Sequence, residues 1–467
     1  MYSKRLAAIM VATVLICSII AGCSQESVSE AGNFKLEDIR QDNLMNIVEE
    51  LTSEKYEGRM AGSEGNFLAT QYIADYYKKI GLENPKGLSD YRYRYLQPLV
   101  ELKDKPVMQL LDKNGKNPVD FDYPENFVLR RLDSETSSID ITAPMYIAED
   151  IDTLYKDSGK LKGKILLIPW KFYDLLGSQN EPADFAQMCG ALGAISEFDL
   201  EKNNLGYKYL KVRPLFGTWT NLNSYKPFAF VDSGTFSQMT KAAQSGGKLH
   251  FKCSSETDTS VQASNCVGLI PGSDTRLKDE FIIIGAHYDH VGTNMDGTWN
   301  PGALDNASGT AVMMELARVI KESKIPPRKS ILFLAFNGEE GGAKGSWRYC
   351  QKPVYPMDKA VMINLDMVGS AAKMPLSIAV ATEKSDTTLR DTLGAYADEL
   401  SIKYDELIED GSDHAPFSYY GVPSVCLINM DMGHGYHSPN DTIETVSGEK
   451  LEEAAKLVLY YIKKNAY

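Results

Sequence analysis

The apolar positions change texture twice along the chain. Leu36, Ile39, Leu44, Ile47, Val48 and Leu51 recur at helical spacing between Lys35 and Thr52. Ala69, Ile73, Tyr76 and Ile80 do the same in a second helix, with Gly81 at its C-cap. From about Glu101 to Thr259 short strands dominate, as in Lys164 to Ile168, Ala194 to Ser196 and Phe228 to Val231. Polar loops rich in Gly and Asn separate them, and one helix is expected over Pro182 to Cys189. After Ser264 near-continuous apolar strands alternate with amphipathic helices. The strands are Phe281–Ala286, Ser330–Phe336, Ala360–Leu365, Leu376–Ala381 and Pro423–Ile428; the helices are Ser308–Glu322, Asp386–Ile402 and Ser447–Lys464. That alternation predicts an α/β fold with a mixed, mostly parallel sheet flanked by helices. The chain therefore reads as a discontinuous α/β domain, 35–100 and 260–467, interrupted by a β-rich insert at 101–259.

Composition narrows the function. The 467 residues are 43% hydrophobic and 24% charged, which is globular and not disordered composition. A net charge of −14 gives no electrostatic footprint for nucleic acid. It equally argues against a purely electrostatic grip on anionic lipid.

The first residues predict where the chain resides. Lys4 and Arg5 precede an apolar run from Leu6 to Ile20, too short for a comfortable membrane span and suited to a signal peptide. The run ends in Ile20-Ala21-Gly22-Cys23, which resembles the bacterial lipobox. Residues 1–22 are then a removed signal, Cys23 the acylated residue, and 23–34 a polar tether. The expected location is the bacterial cell envelope, outside the cytoplasm, with the membrane reached through the lipid. Cys189, Cys253, Cys266, Cys350 and Cys426 remain, scattered and odd in number, so no disulfide framework is expected. Cys350 and Cys426 read as core residues, while Cys253 and Cys266 could close a loop.

The candidate chemistry collects at strand ends, where open α/β sheets bind ligands. Five of the six histidines fall between His287 and His437. His287 directly follows an apolar strand, in His287-Tyr288-Asp289-His290-Val291-Gly292. Asp305 stands at the mouth of a helix, Glu339-Glu340 follows the strand ending at Phe336, and Asp366 ends another strand. His437 lies in His434-Gly435-Tyr436-His437-Ser438-Pro439. Taken singly, each of these has an ordinary structural explanation such as a helix cap or a turn. Together, three carboxylates and two imidazoles suit paired divalent metals of borderline softness, and zinc takes nitrogen and oxygen ligands at about 2.0–2.2 Å. Two metals about 3.5–4 Å apart share a bridging carboxylate, while a free carboxylate beside them serves as general base. Asp289 is placed to support the His287 imidazole from behind.

These segments resemble a family, the co-catalytic di-zinc exopeptidases that include bacterial leucyl-type aminopeptidases, within the transferrin-receptor-like superfamily. Ile284 to Gly292, Asp305-Asn306-Ala307-Ser308-Gly309, Gly338-Glu339-Glu340-Gly341, Asn364-Leu365-Asp366-Met367, Ser412-Asp413-His414 and His437 to Thr442 carry the resemblance. Glu57-Gly58-Arg59 matches the family's N-terminal part. The insert is more weakly similar to a protease-associated domain, through Leu161-Lys162-Gly163-Lys164-Ile165 and Gly190-Ala191-Leu192-Gly193-Ala194.

The resemblance implies two zinc ions. Asp305 bridges them, His287 and Asp366 complete one site, and Glu340 and His437 complete the other. Glu339 becomes the general base and acid, Asp289 supports His287, and Asp413 and His414 become supporting residues at the rim. Some members carry an oxyanion-stabilising Tyr three residues before Ser-Asp-His; here that position is Glu409. Tyr436 is the candidate to replace it. The implied activity is removal of N-terminal residues from peptide substrates by a lipid-anchored metallo-aminopeptidase. A carboxypeptidase, a glutaminyl-cyclase-like enzyme and a non-catalytic binding lipoprotein are the alternatives on the same scaffold. The sequence leaves a protein partner unknown, the insert being either a cap on the site or an interaction module, and neither Trp299 nor Tyr419 can be placed against the site from sequence.

Overall fold

The computed structural model describes residues 34–131, 137–172, 185, 188–199, 212–214, 228–294, 297–433 and 435–467. Cys23 and the signal fall outside these residues, as does most of the helix expected over Pro182 to Cys189. Among the described residues no helix is long and apolar enough to cross a membrane.

The strands form two sheets. The first has eight: β1 (Arg92–Leu96), β2 (Gln262–Ile270), β3 (Phe281–His287), β4 (Ser330–Phe336), β5 (Ala360–Asp366), β6 (Leu376–Val380), β7 (Tyr404–Ile408) and β8 (Ser424–Ile428). Their order is β1-β2-β4-β3-β5-β8-β6-β7. The run β4-β3-β5-β8 is parallel, and antiparallel pairs flank it at β2/β4 and β8/β6. The sheet is thus mixed and mostly parallel, as the alternation of strands and helices predicts. β3, β4 and β8 are buried at every position, as expected of strands covered on both faces.

The helices around this sheet are α1 (Gln41–Leu51), α2 (Glu64–Ile80), α3 (Ser308–Glu322), α4 (Lys344–Gln351), α5 (Thr388–Glu399), α6 (His414–Tyr419) and α7 (Gly448–Ala466). α1, α3 and α7 pack on one another, and α3 lies over β3 and β5. The helix expected over Lys35 to Thr52 is broken: Leu36–Asp38 is a short turn, and Ile39 and Arg40 are extended before α1 starts. Buried Glu315 of α3 explains the break. It accepts the Arg40 N–H at 2.8 Å and pairs with Arg318, so the chain leaves the helix to satisfy a buried carboxylate.

The second sheet has ten strands, drawn from Leu99 to Asp258. Its long strand Lys248–Asp258 pairs with Ser137–Ile147, Val107–Leu111 and Leu99–Leu102. Its two cores are separate from the two that flank the first sheet. Cys253 sits in one of the former and Cys266 in one of the latter. No disulfide joins them, so the loop that the sequence allowed them to close is not formed. Cys350 and Cys426 are buried core residues.

Close approach of α3 to β5 fixes a glycine in the first turn of that helix. A Cβ on Gly309 would collide with the carbonyl oxygen of Leu365. Gly309→Ala is therefore expected to destabilise the protein by about 2 kcal/mol or more, read by denaturant unfolding. An unchanged midpoint contradicts this packing.

Candidate active site

The C-terminal ends of the central parallel strands supply the site. β3 ends at His287, β5 ends at Asp366, and β4 runs into Asn337-Gly338-Glu339-Glu340. His287 lies level with Phe336 in the β3/β4 register, which brings the glutamates to the same edge as the imidazole.

Asp305 arrives from a different element, the irregular segment between Gly302 and α3. Its position is over-determined. Asp441 accepts the N–H groups of Leu304 at 2.8 Å and of Asp305 at 3.0 Å. The Asn306 amide donates to Leu365 O, and its oxygen accepts from Met367 and Gly309. Arg59 is fully buried below this segment, donating to the carbonyls of Leu51, Tyr288, Pro301 and Gly302. Burial pulls its guanidinium down to about 10, against the opposing field of Asp441 and Asp305. Gly58 lets that turn seat closely: it sits at φ +70°, and a Cβ there would lie 2.5 Å from Gly292 O.

The two oxygens of Asp305 face opposite ways. Oδ1 lies 3.4 Å from His287 Nε2; Oδ2 lies 3.0 Å from His437 Nε2. On the first side His287 Nε2 is 3.1 Å from Asp366 Oδ1. On the second His437 Nε2 is 3.0 Å from Glu340 Oε2, and His290 Nδ1 is 2.9 Å from Glu340 Oε1. Two groups of metal-competent side chains result, His287–Asp305–Asp366 and His290–Asp305–Glu340–His437. Within each, the ligand atoms lie within 4.8 Å of one another, and every member is buried. Mixed imidazole nitrogen and carboxylate oxygen without thiolate suits zinc better than the all-oxygen preference of calcium or magnesium. The charge also fits, because Asp289, Asp305, Glu340, Asp366, Asp413 and Asp441 are all buried, and carboxylates so crowded call for bound positive charge.

His437 and Met367 hold left-handed backbones at φ 52° and 49°. L-residues pay about 1 kcal/mol or more there, which the surrounding bonds must offset. Such strain gathers at sites where geometry is imposed by function.

Several expectations need revision. The Asp289 carboxylate stands 3.7 Å from His287 Nδ1, and the shorter contact of that nitrogen, 3.3 Å, is to the Asp289 backbone oxygen. The carboxylate instead accepts the N–H of Glu339 at 3.2 Å and of Glu340 at 3.3 Å. Asp289 thus orients the glutamate loop, and supports His287 mainly through its main chain. Burial pushes its carboxyl up to about 7, with His287 opposing.

Asp413 and His414 do not stand at a rim; both are fully buried. His414 Nε2 contacts Glu409 O at 2.7 Å, and burial lowers its pKa to about 4. The member of that motif that touches the site is Ser412, whose hydroxyl donates to Asp366 Oδ2 at 2.6 Å. Glu409 accepts the Gly411 N–H at 2.7 Å. The Tyr436 ring lies flat on His437, with centroids 3.7 Å apart. His290 was missed as a candidate although it stands in the His287 motif; two histidines separated by two residues were the available signal. His434 lies outside the described residues.

A cavity of about 860 Å³ opens from Glu339, Glu340 and His437. Trp347, Tyr419 and Tyr436 are among its walls. The Trp347 and Tyr419 rings are 5.3 Å apart, and Tyr419 remains 73% exposed. Trp299 does not line this cavity.

Comparison with known proteins is consistent with this geometry. Residues 265–462 match peptidase family M28. Aminopeptidase YwaD of Bacillus subtilis is 33% identical over 211 residues, covering 43% of this chain and 44% of that protein. A probable leucine aminopeptidase of Arthroderma benhamiae is 32% identical over 211 residues, 43% of this chain and 57% of the relative. The chain thus spans about half the length of these curated relatives. Over 92% of its length the fold matches an aminopeptidase from Aneurinibacillus sp. strain AM-1, at a TM-score of 0.68, 23% identity and 95% coverage of that chain. It also matches the zinc aminopeptidase BSAP of Bacillus subtilis, at 0.65, 23% identity, and 92% and 96% coverage.

Without cations, protons must supply the countercharge of this carboxylate cluster. Burial disfavours the His437 cation, but Glu340 and Asp305 outweigh it and raise its pKa to about 10. His287 is likewise raised by Asp366 and Glu339 against its burial. A raised folded-state pKa contributes stability that is fully present below the unfolded value, about 6.5, and is lost as pH rises through about 10. Chelator-treated protein is expected to lose roughly 1.4 kcal/mol per pH unit from His437 between about pH 7 and 10, with His287 adding a loss of the same sign as pH rises. Equal denaturant midpoints across that range contradict the assignment.

Proposed function

We propose that the protein is a zinc-dependent aminopeptidase that binds two zinc ions and removes N-terminal residues from peptides. The observation that carries this reading is Asp305, whose two carboxylate oxygens face two separate imidazole–carboxylate groups. The match of 265–462 to family M28 and the aminopeptidase relatives support it.

His287 and Asp366 would hold one ion, Glu340 and His437 the other, with Asp305 shared and His290 orienting Glu340. When bound, zinc supplies Lewis-acid polarisation of a peptide carbonyl and of water. Glu339 is the proton carrier: it takes a proton from the attacking water and delivers it to the leaving amine. In the metal-free protein burial and the charges of Asp366 and Glu340 raise its pKa well above the usual carboxylate range, with His287 opposing; bound cations would favour the deprotonated form that a base requires. Asp289 holds the Glu339 and Glu340 backbones in register, so one glutamate ligates while the other stays free. Tyr436 keeps the His437 ring in plane by stacking. The aromatic wall of Trp347 and Tyr419 offers apolar surface to a substrate side chain.

The segment ending at Cys23 supports anchoring of this enzyme by lipid outside the cytoplasm, and the strand-rich insert is read as a protease-associated-like module. Both proposals rest on the sequence.

The test uses the chain from Ser24 onward, zinc-loaded, with a pool of free and N-acetylated peptides read by mass spectrometry. Single N-terminal residues are expected to disappear from free peptides only. Glu339→Gln is expected to bind zinc normally and to lose about three orders of magnitude or more in turnover. C-terminal trimming of acetylated peptides contradicts the direction of cleavage; near-normal turnover by Glu339→Gln contradicts the mechanism.

A further inference from the structure

The loop that carries Glu339 starts at Asn337, a residue held on every side. Its backbone N–H donates to Asn265 Oδ1 at 3.1 Å, and its carbonyl accepts from the Tyr95 hydroxyl at 2.5 Å. Its side-chain amide donates to Asn66 Oδ1 at 2.8 Å, to Tyr288 Oη at 2.8 Å and to Ser264 O at 3.2 Å, while Oδ1 accepts from Asn66 at 3.0 Å. Gly338, at φ +75°, is pressed against β1. A Cβ there would lie 2.7 Å from both Gln97 Oε1 and Tyr95 Oη.

Tyr95, Ser264 and Asn265 share an address. β1 is the strand by which the chain leaves the catalytic sheet for the insert, and β2 is the strand by which it returns. The two are antiparallel neighbours, with Arg94 opposite Ser264 and Tyr95 opposite Ala263. The pairing continues outward: Gln97 N donates to Val261 O, and Leu99 to Leu102 then pairs with Asp258 to Ser255 inside the insert sheet. One two-stranded ribbon therefore runs from the insert to the backbone of Asn337, two residues before Glu339. Gln97 is fully buried on that ribbon, and its Oε1 has no hydrogen-bond partner.

A general base works only when held to within a fraction of an ångström of its proton, so whatever fixes this loop bears on the rate. We propose that the ribbon joining the insert to the catalytic sheet positions Glu339, with Tyr95 and Asn265 as positioning residues. The insert thereby governs turnover and not the affinity for peptide or metal. This rests on the reading of Glu339 as proton carrier.

Tyr95→Phe removes one hydroxyl and keeps the buried ring. It is to be compared with Asn265→Ala and the double variant for kcat, KM, zinc content by mass spectrometry and melting temperature. Expected are a fall in kcat of about tenfold or more for Tyr95→Phe, KM within about twofold, and unchanged zinc content. Because both residues hold the backbone of the same residue, Asn337, on its N–H and its C=O, the double variant is expected to lose less than the product of the single losses. A lower melting temperature with unchanged kcat would reduce the ribbon to a structural role and overturn the inference, as would KM or zinc content changing in step with kcat. Glu339→Gln run beside them separates the two claims. If it is inactive while Tyr95→Phe keeps full kcat, only the positioning fails; if it is active, the reading of Glu339 fails.

Discussion

One carboxylate shared between two imidazole–carboxylate groups is the constraint around which the eight-stranded sheet is arranged. Asp305 is not supplied by a strand end, as His287 and Asp366 are. It comes from the turn before α3, which Asp441, Asn306 and Arg59 hold by backbone hydrogen bonds. Such rigidity is what a site of crowded negative charge requires, since a looser turn would let the carboxylates separate and find water. Arg59 contributes in two ways. It satisfies four carbonyls, and its charge faces Asp441, Asp305, Asp289 and Glu340 without ligating anything they need.

Legibility in the sequence followed the physics of each element. Strands buried on both faces, such as Phe281–His287 and Ser330–Phe336, were readable as apolar runs, and the site residues attached to their ends came with them. β1, with its alternating Arg and Tyr, and β7, with its acidic residues, lie at the sheet's edges, where burial is partial and the apolar pattern fades. β2 was obscured for another reason: Gln262, Ser264 and Asn265 interrupt its apolar run, and the Asn265 amide is buried because it accepts the Asn337 N–H.

The supporting contacts were harder to read than the candidate ligands. Asp289 was placed beside His287 by sequence proximity, yet its carboxylate turns to the Glu339 and Glu340 amides, a contact spanning about fifty residues. In the Ser412-Asp413-His414 segment the charged residues drew attention, while the serine hydroxyl meets Asp366. Local spacing does not encode which side chain of a turn faces a site; packing of α6 against β5 and β8 does. The same reasoning gives the insert a role in the site through its two connecting strands, which are the supports of the glutamate loop.

Zinc stoichiometry tests the central claim most directly. Protein loaded with zinc, freed of excess and analysed for metal is predicted to hold two ions per chain, and Asp305→Asn to lose both together. One ion per chain, or an Asp305→Asn variant that keeps one ion as tightly as the native protein, would contradict the account of a single carboxylate joining two sites.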